Sequence, residues 1–159
     1  MQFQIRSKTA DDNQWLIPYL KEEWGSTTIV TRMRRYDAPT LPGYVGIQNG
    51  APAGIILYRI SDHACQIILL ASFIAQIGIG SALIETVRRL AVAQHCQRLW
   101  LITTNDNLPA LRFYQKRGFS LAAFHRNALA EARKLKPEIP VVGCDGIPLR
   151  DELELEMMI

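Results

Sequence analysis

The chain has 159 residues, 48% of them hydrophobic and 21% charged, the balance of a folded globular domain and not of a disordered segment. Its 18 Lys and Arg against 15 Asp and Glu leave a formal charge of +3, with no concentrated basic stripe of the kind nucleic acid demands. Three scattered cysteines, Cys65, Cys96 and Cys144, form no Cys-x-x-Cys pair and cannot all pair with one another, which points to a reducing, cytoplasmic setting.

Met1 to Thr9 alternates in the manner of a strand, with Phe3 and Ile5 apolar, and lacks the basic-then-apolar build of a secretory signal. Thr9 with Asp12 three places later reads as a capping box. The helix it opens carries Trp15, Leu16, Tyr19 and Leu20 on one face and is expected to fade near Gly25. Residues 26–43 read as irregular, punctuated by Pro39, Pro42 and Gly43. Arg32, Arg34 and Arg35 within them read as a solvated face.

Tyr44 to Gln48 and Ala53 to Ile60 are strand-like. Asn49-Gly50 between them is a hairpin signal, because both residues tolerate positive φ. Ala64 to Leu70 follows a turn at Ser61-Asp62, which completes an antiparallel meander. The strongest apolar stretch, Cys65 to Leu83, is interrupted by Gln66, Ser72, Gln76, Gly78, Gly80 and Ser81. It reads as a strand, a loop and a helix start, not as a membrane span.

From Gly78 to Gln94 the period is helical, with Ile79, Leu83, Val87 and Leu90 on one face. Leu99 to Thr103 returns to strand, Leu108 to Arg117 is a helix closed by Gly118, and Phe119 to Phe124 is a strand. Asn127 to Leu135 reads as helical, followed by Pro137, Pro140, a Cys144-Asp145-Gly146 turn and Pro148. The last segment sets Leu153, Leu155 and Met157 against Glu152, Glu154 and Glu156, a strand with one buried face. The whole is expected to be one α+β domain over residues 1–159, with 126–148 inserted before the last strand.

The segment Gln76-Ile77-Gly78-Ile79-Gly80-Ser81 joins an apolar strand to an amphipathic helix. Gly78 and Gly80 bare the backbone where the first four amides of a helix lack partners. Those amides and the positive end of the helix dipole attract phosphate. A P-loop would need Gly-Lys-Ser/Thr, and no lysine follows Gly80. A Rossmann fingerprint wants a small residue where Leu83 stands, and a parallel βαβ unit in place of the meander. A turn that binds nothing is the other reading of these glycines. His63 and Cys65 lie close together, but no second ligand pair accompanies them, so no metal site is expected.

Further on, Asn107-Leu108-Pro109-Ala110-Leu111-Arg112-Phe113-Tyr114-Gln115-Lys116-Arg117-Gly118-Phe119 follows the pattern Asn-x-x-Ala-x-x-x-Tyr-x-x-x-Gly-Phe. Read alone, Asn107 is an N-cap, Gly118 a C′ glycine, and Ala110, Phe113 and Tyr114 core contacts. Together with the glycine turn, in this order and spacing, it resembles the GCN5-related N-acetyltransferase (GNAT) superfamily. The pyrophosphate loop of that superfamily has the form Gln/Arg-x-x-Gly-x-Gly/Ala. Gly78-Ile79-Gly80 matches it; Ala75 stands at the usual Gln/Arg position, with Gln76 one place later.

The resemblance covers most of the chain and implies a mixed, mostly antiparallel central sheet of about seven strands with flanking helices. It implies acetyl-CoA as co-substrate, no metal, and an amine of a small molecule or peptide as acceptor. Neither nucleic acid nor a membrane is implied as partner, and homodimerisation is a family habit. In such a fold the strand before the glycine turn and the strand at Leu99 to Thr103 splay apart to admit the pantetheine arm. Backbone groups near Ser72 and Phe73 would pair with the arm. Amides of Gln76, Ile77, Gly78, Ile79, Gly80 and Ser81 would take the pyrophosphate, and Asn107 would reach the arm with its side-chain amide.

The implied reaction is direct attack of a neutral amine on the thioester. Its oxyanion needs a backbone amide, expected from the strand end near Leu70 to Ser72. Tyr114 is the candidate general acid toward the departing thiolate. A phenol of pKa about 10 facing a thiol of about 8.5 makes full transfer uphill by roughly 2 kcal/mol, so a hydrogen bond or a local shift must help. A lysine-like amine of pKa about 10.4 also needs a base. Cys65 to Ala75 contains no Asp or Glu, which leaves His63, His125, Glu22, Glu23, Asp37 and bulk water open. The acceptor pocket is expected around Trp24 to Tyr36 and the 126–148 insertion, where Arg32, Arg34, Arg133 and Lys136 would suit an anionic group. The alternative is a catalytically weak or inactive acetyl-CoA-binding module, which Ala75 and the missing carboxylate would fit.

Overall fold

In the computed structural model, which describes residues 2–159, the strands in chain order are β1 (Gln4–Ser7), β2 (Thr28–Thr31), β3 (Arg34–Asp37), β4 (Gly43–Gln48), β5 (Ala51–Ser61), β6 (Ala64–Ser72), β7 (Arg98–Thr104), β8 (Ser120–His125) and β9 (Glu152–Met158). The α-helices are α1 (Asn13–Trp24), α2 (Ile79–Ala93), α3 (Leu108–Lys116) and α4 (Ala128–Leu135). Seven strands form one sheet in the order β1-β4-β5-β6-β7-β9-β8. Every neighbour pair in it is antiparallel except β6 and β7. This is the mixed α+β architecture expected from the sequence.

The β4–β5 hairpin turns on Asn49 and Gly50, with φ of 52° and 76°, the positive pair that a tight two-residue turn needs. The segment expected to be irregular holds a second hairpin. Thr28–Thr31 pairs with Arg34–Asp37, and Arg32 and Met33 make the turn at φ of 47° and 60°. Neither residue is the Asn or Gly that normally announces such a turn, so the sequence conceals it.

Apolar layers cover both faces of the sheet. On one face α2 buries Ile79, Leu83 and Val87, and α3 buries Tyr114, against Ile67, Leu99, Leu101 and Leu155. Ala91 completes the buried stripe of α2, and Leu90 is only half-buried. On the other face α1 sets Leu16 and Leu20 against Val45, Ile55, Leu57 and Leu69. Arg6 anchors the start of α1 by forking onto the Asp12 carboxylate at 2.8 Å on both oxygens, and the Thr9 amide donates to the same group at 2.8 Å.

The 126–148 insertion packs α4 against the β2–β3 hairpin. Ala128, Leu129 and Ala132 cluster with Val30, Ile139 and Leu149. Buried Lys136 donates to the Thr28 carbonyl at 2.7 Å, and Arg35 donates to the Leu135 carbonyl at 2.8 Å. No helix among the described residues is long and apolar enough to cross a membrane.

The sheet opens where β6 meets β7. Their pairing runs from Ala64 opposite Arg98 only as far as Ile67 opposite Leu101. Just beyond, β6 carries Ile68 as an unmatched residue, since Tyr58 faces Ile67 while Leu57 faces Leu69. A bulge of this kind bends its strand and increases local twist, which carries the end of β6 away from β7.

Candidate active site

A cavity of about 460 Å³ lies at that parting. Leu70 and Ser72 bring β6 to its wall, and the glycine turn brings Gln76, Gly78, Ile79, Gly80 and Ser81. From α3 come Pro109, Ala110, Phe113 and Tyr114, with Arg117 just past the helix end.

The two glycines do different work. Gly78 is the N-cap of α2 at φ 81°, and a Cβ there would touch nothing within 4 Å, so the backbone conformation alone selects glycine. At Gly80 a Cβ would stand 3.0 Å from the Phe113 ring, so there glycine provides room for α3. The first intrahelical bond runs from the Ala82 amide to the Gly78 carbonyl at 3.1 Å. The amides of Ile79, Gly80 and Ser81 therefore precede the helical ladder and have no partner within it.

Arg117 adds positive charge beside these amides. Its Nε donates to Ser81 Oγ at 2.7 Å, and its guanidinium lies over Phe113, 3.5 Å from the ring centroid. In the sequence Arg117 occupies a variable position of the tyrosine motif. The signal available was its place three residues after Tyr114, on a helix already assigned to the cavity.

Tyr114 is 9% exposed, with Phe113 and Phe119 edge-on to its ring at 5.3 Å and 5.5 Å. Among the described residues its hydroxyl has no hydrogen-bond partner. Burial pushes the phenol above its ordinary value, so it stays protonated well into the alkaline range. Its packing is real, and so is its place on the cavity.

The other sequence candidates are placed less uniformly. Ser72 lines the cavity and donates to the Ile74 carbonyl at 3.1 Å. The Phe73 amide already donates to the Ala53 carbonyl at 2.8 Å, so that group does not stand open to an incoming extended chain. The Phe73 ring packs toward α1, 5.8 Å from Trp15 and 5.0 Å from Tyr19. Ile77 packs against the core beneath α2. Asn107 caps α3, its Oδ1 accepting from the Ala110 amide at 3.2 Å, which leaves its Nδ2 without a partner. Phe73, Ile77 and Asn107 stand outside the cavity lining.

Among the candidate bases, Glu22, Glu23, Asp37 and His63 are exposed. His125 is half-buried on β8, its Nε2 3.2 Å from Glu154 Oε1. Three of the four cations proposed for an anionic acceptor are engaged internally. Arg133 donates to the carbonyls of Ile139, Pro140 and Leu149, Lys136 donates to Thr28, and Arg32 faces Glu152. The carboxylate side of β9, opposite the leucines, is covered at its start: Glu152 is 3% exposed beneath the β2–β3 turn. Among the described residues no group of three or more His, Cys, Asp or Glu is arranged to hold a metal ion.

The sheet order, the parted strands and the glycine turn together define an acetyltransferase-type α+β fold. The sequence profile of the "Acetyltransferase (GNAT) family" matches residues 10–119, and the chain belongs to that family. It is 41% identical over 145 residues to the uncharacterized protein YdhI of Bacillus subtilis, covering 91% of each chain. Its fold resembles that of an IAA acetyltransferase from Bacillus cereus, with a TM-score of 0.77 at 20% identity over 99% of this chain and 100% of that one. It also resembles a GNAT family acetyltransferase from Elizabethkingia anophelis solved with acetyl-CoA bound, with a TM-score of 0.71 at 20% identity over 99% and 98% of the two chains.

Proposed function

We propose that this chain is a single-domain N-acetyltransferase that moves an acetyl group from acetyl-CoA to an amine of a small molecule or peptide. The observation that carries this reading is one cavity, at the parting of β6 and β7, shared by the unpaired amides of a glycine-opened helix and the unpartnered hydroxyl of Tyr114. The residues present fit acetyl-CoA. Amides from Gln76 to Ser81 would hold the diphosphate, with Arg117 supplying a full positive charge beside them. Ser72 and the Asn107 Nδ2 would meet the pantetheine arm.

The β6 backbone near Leu70 would donate to the developing oxyanion. Tyr114 would donate to the leaving sulfur as general acid. The cavity that raises the phenol also desolvates a thiolate, so burial does not widen the reference gap between them by itself. A protonated phenol is thereby available over the whole working pH range. Three unpaired cysteines support a reducing, cytoplasmic setting.

Two measurements test the reading together. Thermal unfolding with acetyl-CoA, CoA and NAD should show stabilisation by the first two alone, about 2.7 kcal/mol at 100 times the dissociation constant. Free-thiol release should then appear with some member of a panel of primary amines. Binding without release from any amine would identify a catalytically inactive coenzyme-binding module. Absence of binding would remove the reading altogether.

A further inference from the structure

We propose that Glu152 receives the ammonium group of the acceptor and takes its proton, so that the acceptor is a cationic primary amine reaching the thioester from the sheet face opposite Tyr114. This inference rests on the acetyl-transfer reading above.

The placement follows from strand register. Glu152 stands directly across β9 from Thr104 of β7 and from His125 of β8, and residues so opposed share one face of a sheet. Thr104 lies past Leu101, where β7 has lost β6 as a neighbour. Leu155 on β9 has the other parity and packs in the cluster that contains Tyr114. The parting between β6 and β7 thus has the phenol on one side and the Glu152 face on the other.

The environment of Glu152 is unusual for a buried carboxylate. It is 3% exposed, yet its contacts are long: the Arg32 amide at 3.4 Å and Arg32 Nη1 at 3.5 Å. An ionised carboxylate has about four lone-pair sites, and buried ones are ordinarily held by close charged or hydrogen-bonding partners. The ionisable side chains on the neighbouring strand positions are engaged with each other. His125 contacts Glu154 at 3.2 Å, and Arg98 of β7 bridges Glu154 and Glu156. β6 brings a neutral polar group to the same hairpin, Gln66, whose Nε2 donates to Thr31 Oγ1 at 3.4 Å. Burial raises the Glu152 carboxyl above its ordinary value, outweighing Arg32 and His125, which moves it toward the range where a base works near neutrality.

The cover over Glu152 is the tip of the β2–β3 hairpin, whose turn residues Arg32 and Met33 both hold positive φ. Movement of that tip would expose the carboxylate without disturbing the sheet. One ammonium proton would pass to Glu152 and on to solvent. The freed nitrogen lone pair would form the C–N bond as the C–S bond breaks, and the second proton lost by nitrogen balances the one gained by sulfur.

The test compares wild type, Glu152→Gln and Glu152→Asp for thiol release. The acceptors are a peptide with a free N-terminus, spermidine, kanamycin and tyramine, from mildly acidic to mildly alkaline pH. Glu152→Gln is expected to lower kcat/KM by about 100-fold or more near neutrality, a loss that shrinks as rising pH deprotonates the amine in solution. Glu152→Asp should keep part of the activity, and both variants should keep the thermal shift given by acetyl-CoA. Wild-type kcat/KM, corrected for ionisation of the amine, should fall as pH drops through a pKa above the usual carboxylate range. An active wild type with an indifferent Glu152→Gln, or an equal loss at every pH in both variants, overturns the role of Glu152 alone. If Glu152→Gln does not fold, a corrected wild-type profile without that acidic limb overturns it. No thiol release by wild type from any of these amines would instead overturn the acetyl-transfer reading, and this role with it.

Discussion

The ring of Phe113 lies 3.0 Å from where a Cβ on Gly80 would stand, so α3 closes directly onto the first turn of α2. A larger side chain at 80 must displace the Phe113 ring, which packs edge-on to Tyr114, and narrows the cavity that all three residues line. Gly80→Val is expected to abolish the thermal shift given by acetyl-CoA. Gly78→Ala meets open space, and its penalty is the left-handed backbone alone, about 1–2 kcal/mol. Thermal unfolding of both variants, with and without acetyl-CoA, separates the two roles.

Removing only the Tyr114 hydroxyl leaves the ring contacts with Phe113 and Phe119 in place. Tyr114→Phe should therefore fold normally and bind acetyl-CoA as before, while kcat falls by about 100-fold. Unchanged turnover in this variant would remove the general-acid role and leave Tyr114 as packing.

Asp12 ties β1 to α1. The Arg6 hydrogen bonds hold its carboxyl well below the ordinary value, with help from the Thr9 amide and the Trp15 indole. A depressed folded pKa means that its contribution is fully present above the unfolded value of about 3.9 and is lost as pH falls through the folded one. Asp12→Asn is expected to lower stability by about 1–3 kcal/mol at neutral pH, with the gap to wild type narrowing in strong acid. Urea unfolding at both pH values measures it.

Lys136 is buried, and its ammonium donates to the Thr28 carbonyl across 108 positions of sequence. It joins the insertion to the hairpin that covers Glu152. Lys136→Ala should loosen that hairpin at a cost of about 1–3 kcal/mol. On the acceptor-side reading, it should raise KM for the amine and leave acetyl-CoA binding unchanged.

Burial pushes the Cys65 thiol up to about 12, and Cys96 is raised by the same cause. Cys144 is exposed, although Asp106 raises it as well. Ellman's reagent should find one slow thiol in the native protein and three after denaturation. The thiol-release assay therefore needs that single background subtracted, and rapid reaction of two or more thiols in the native state would contradict the burial.

Much of the fold was legible because its signals are local. Asn49-Gly50 specified a hairpin, the 3.6-residue spacing of Ile79, Leu83 and Val87 specified a helix, and Gly78 and Gly80 specified a bare helix start. The hairpin at Arg32-Met33 was hidden because its turn adopts positive φ without the residues that favour it. Tertiary packing of α4, and not turn propensity, accompanies that conformation. Arg117 escaped notice for a related reason, since its role comes from reaching Ser81 on another helix.

Glu152 shows the division most clearly. Read along the chain, it is one of three alternating carboxylates on the polar side of a strand, and alternation alone assigns them to water. The periods and turn residues of the sequence determined the elements outside the β2–β3 hairpin, their order and the family to which they belong. Burial of Glu152, the parting of β6 from β7, and the sharing of one cavity by the glycine turn and Tyr114 were decided by tertiary structure. These depend on contacts between segments far apart in sequence, and on a bulge at Ile68 that leaves no mark in the pattern of residue types.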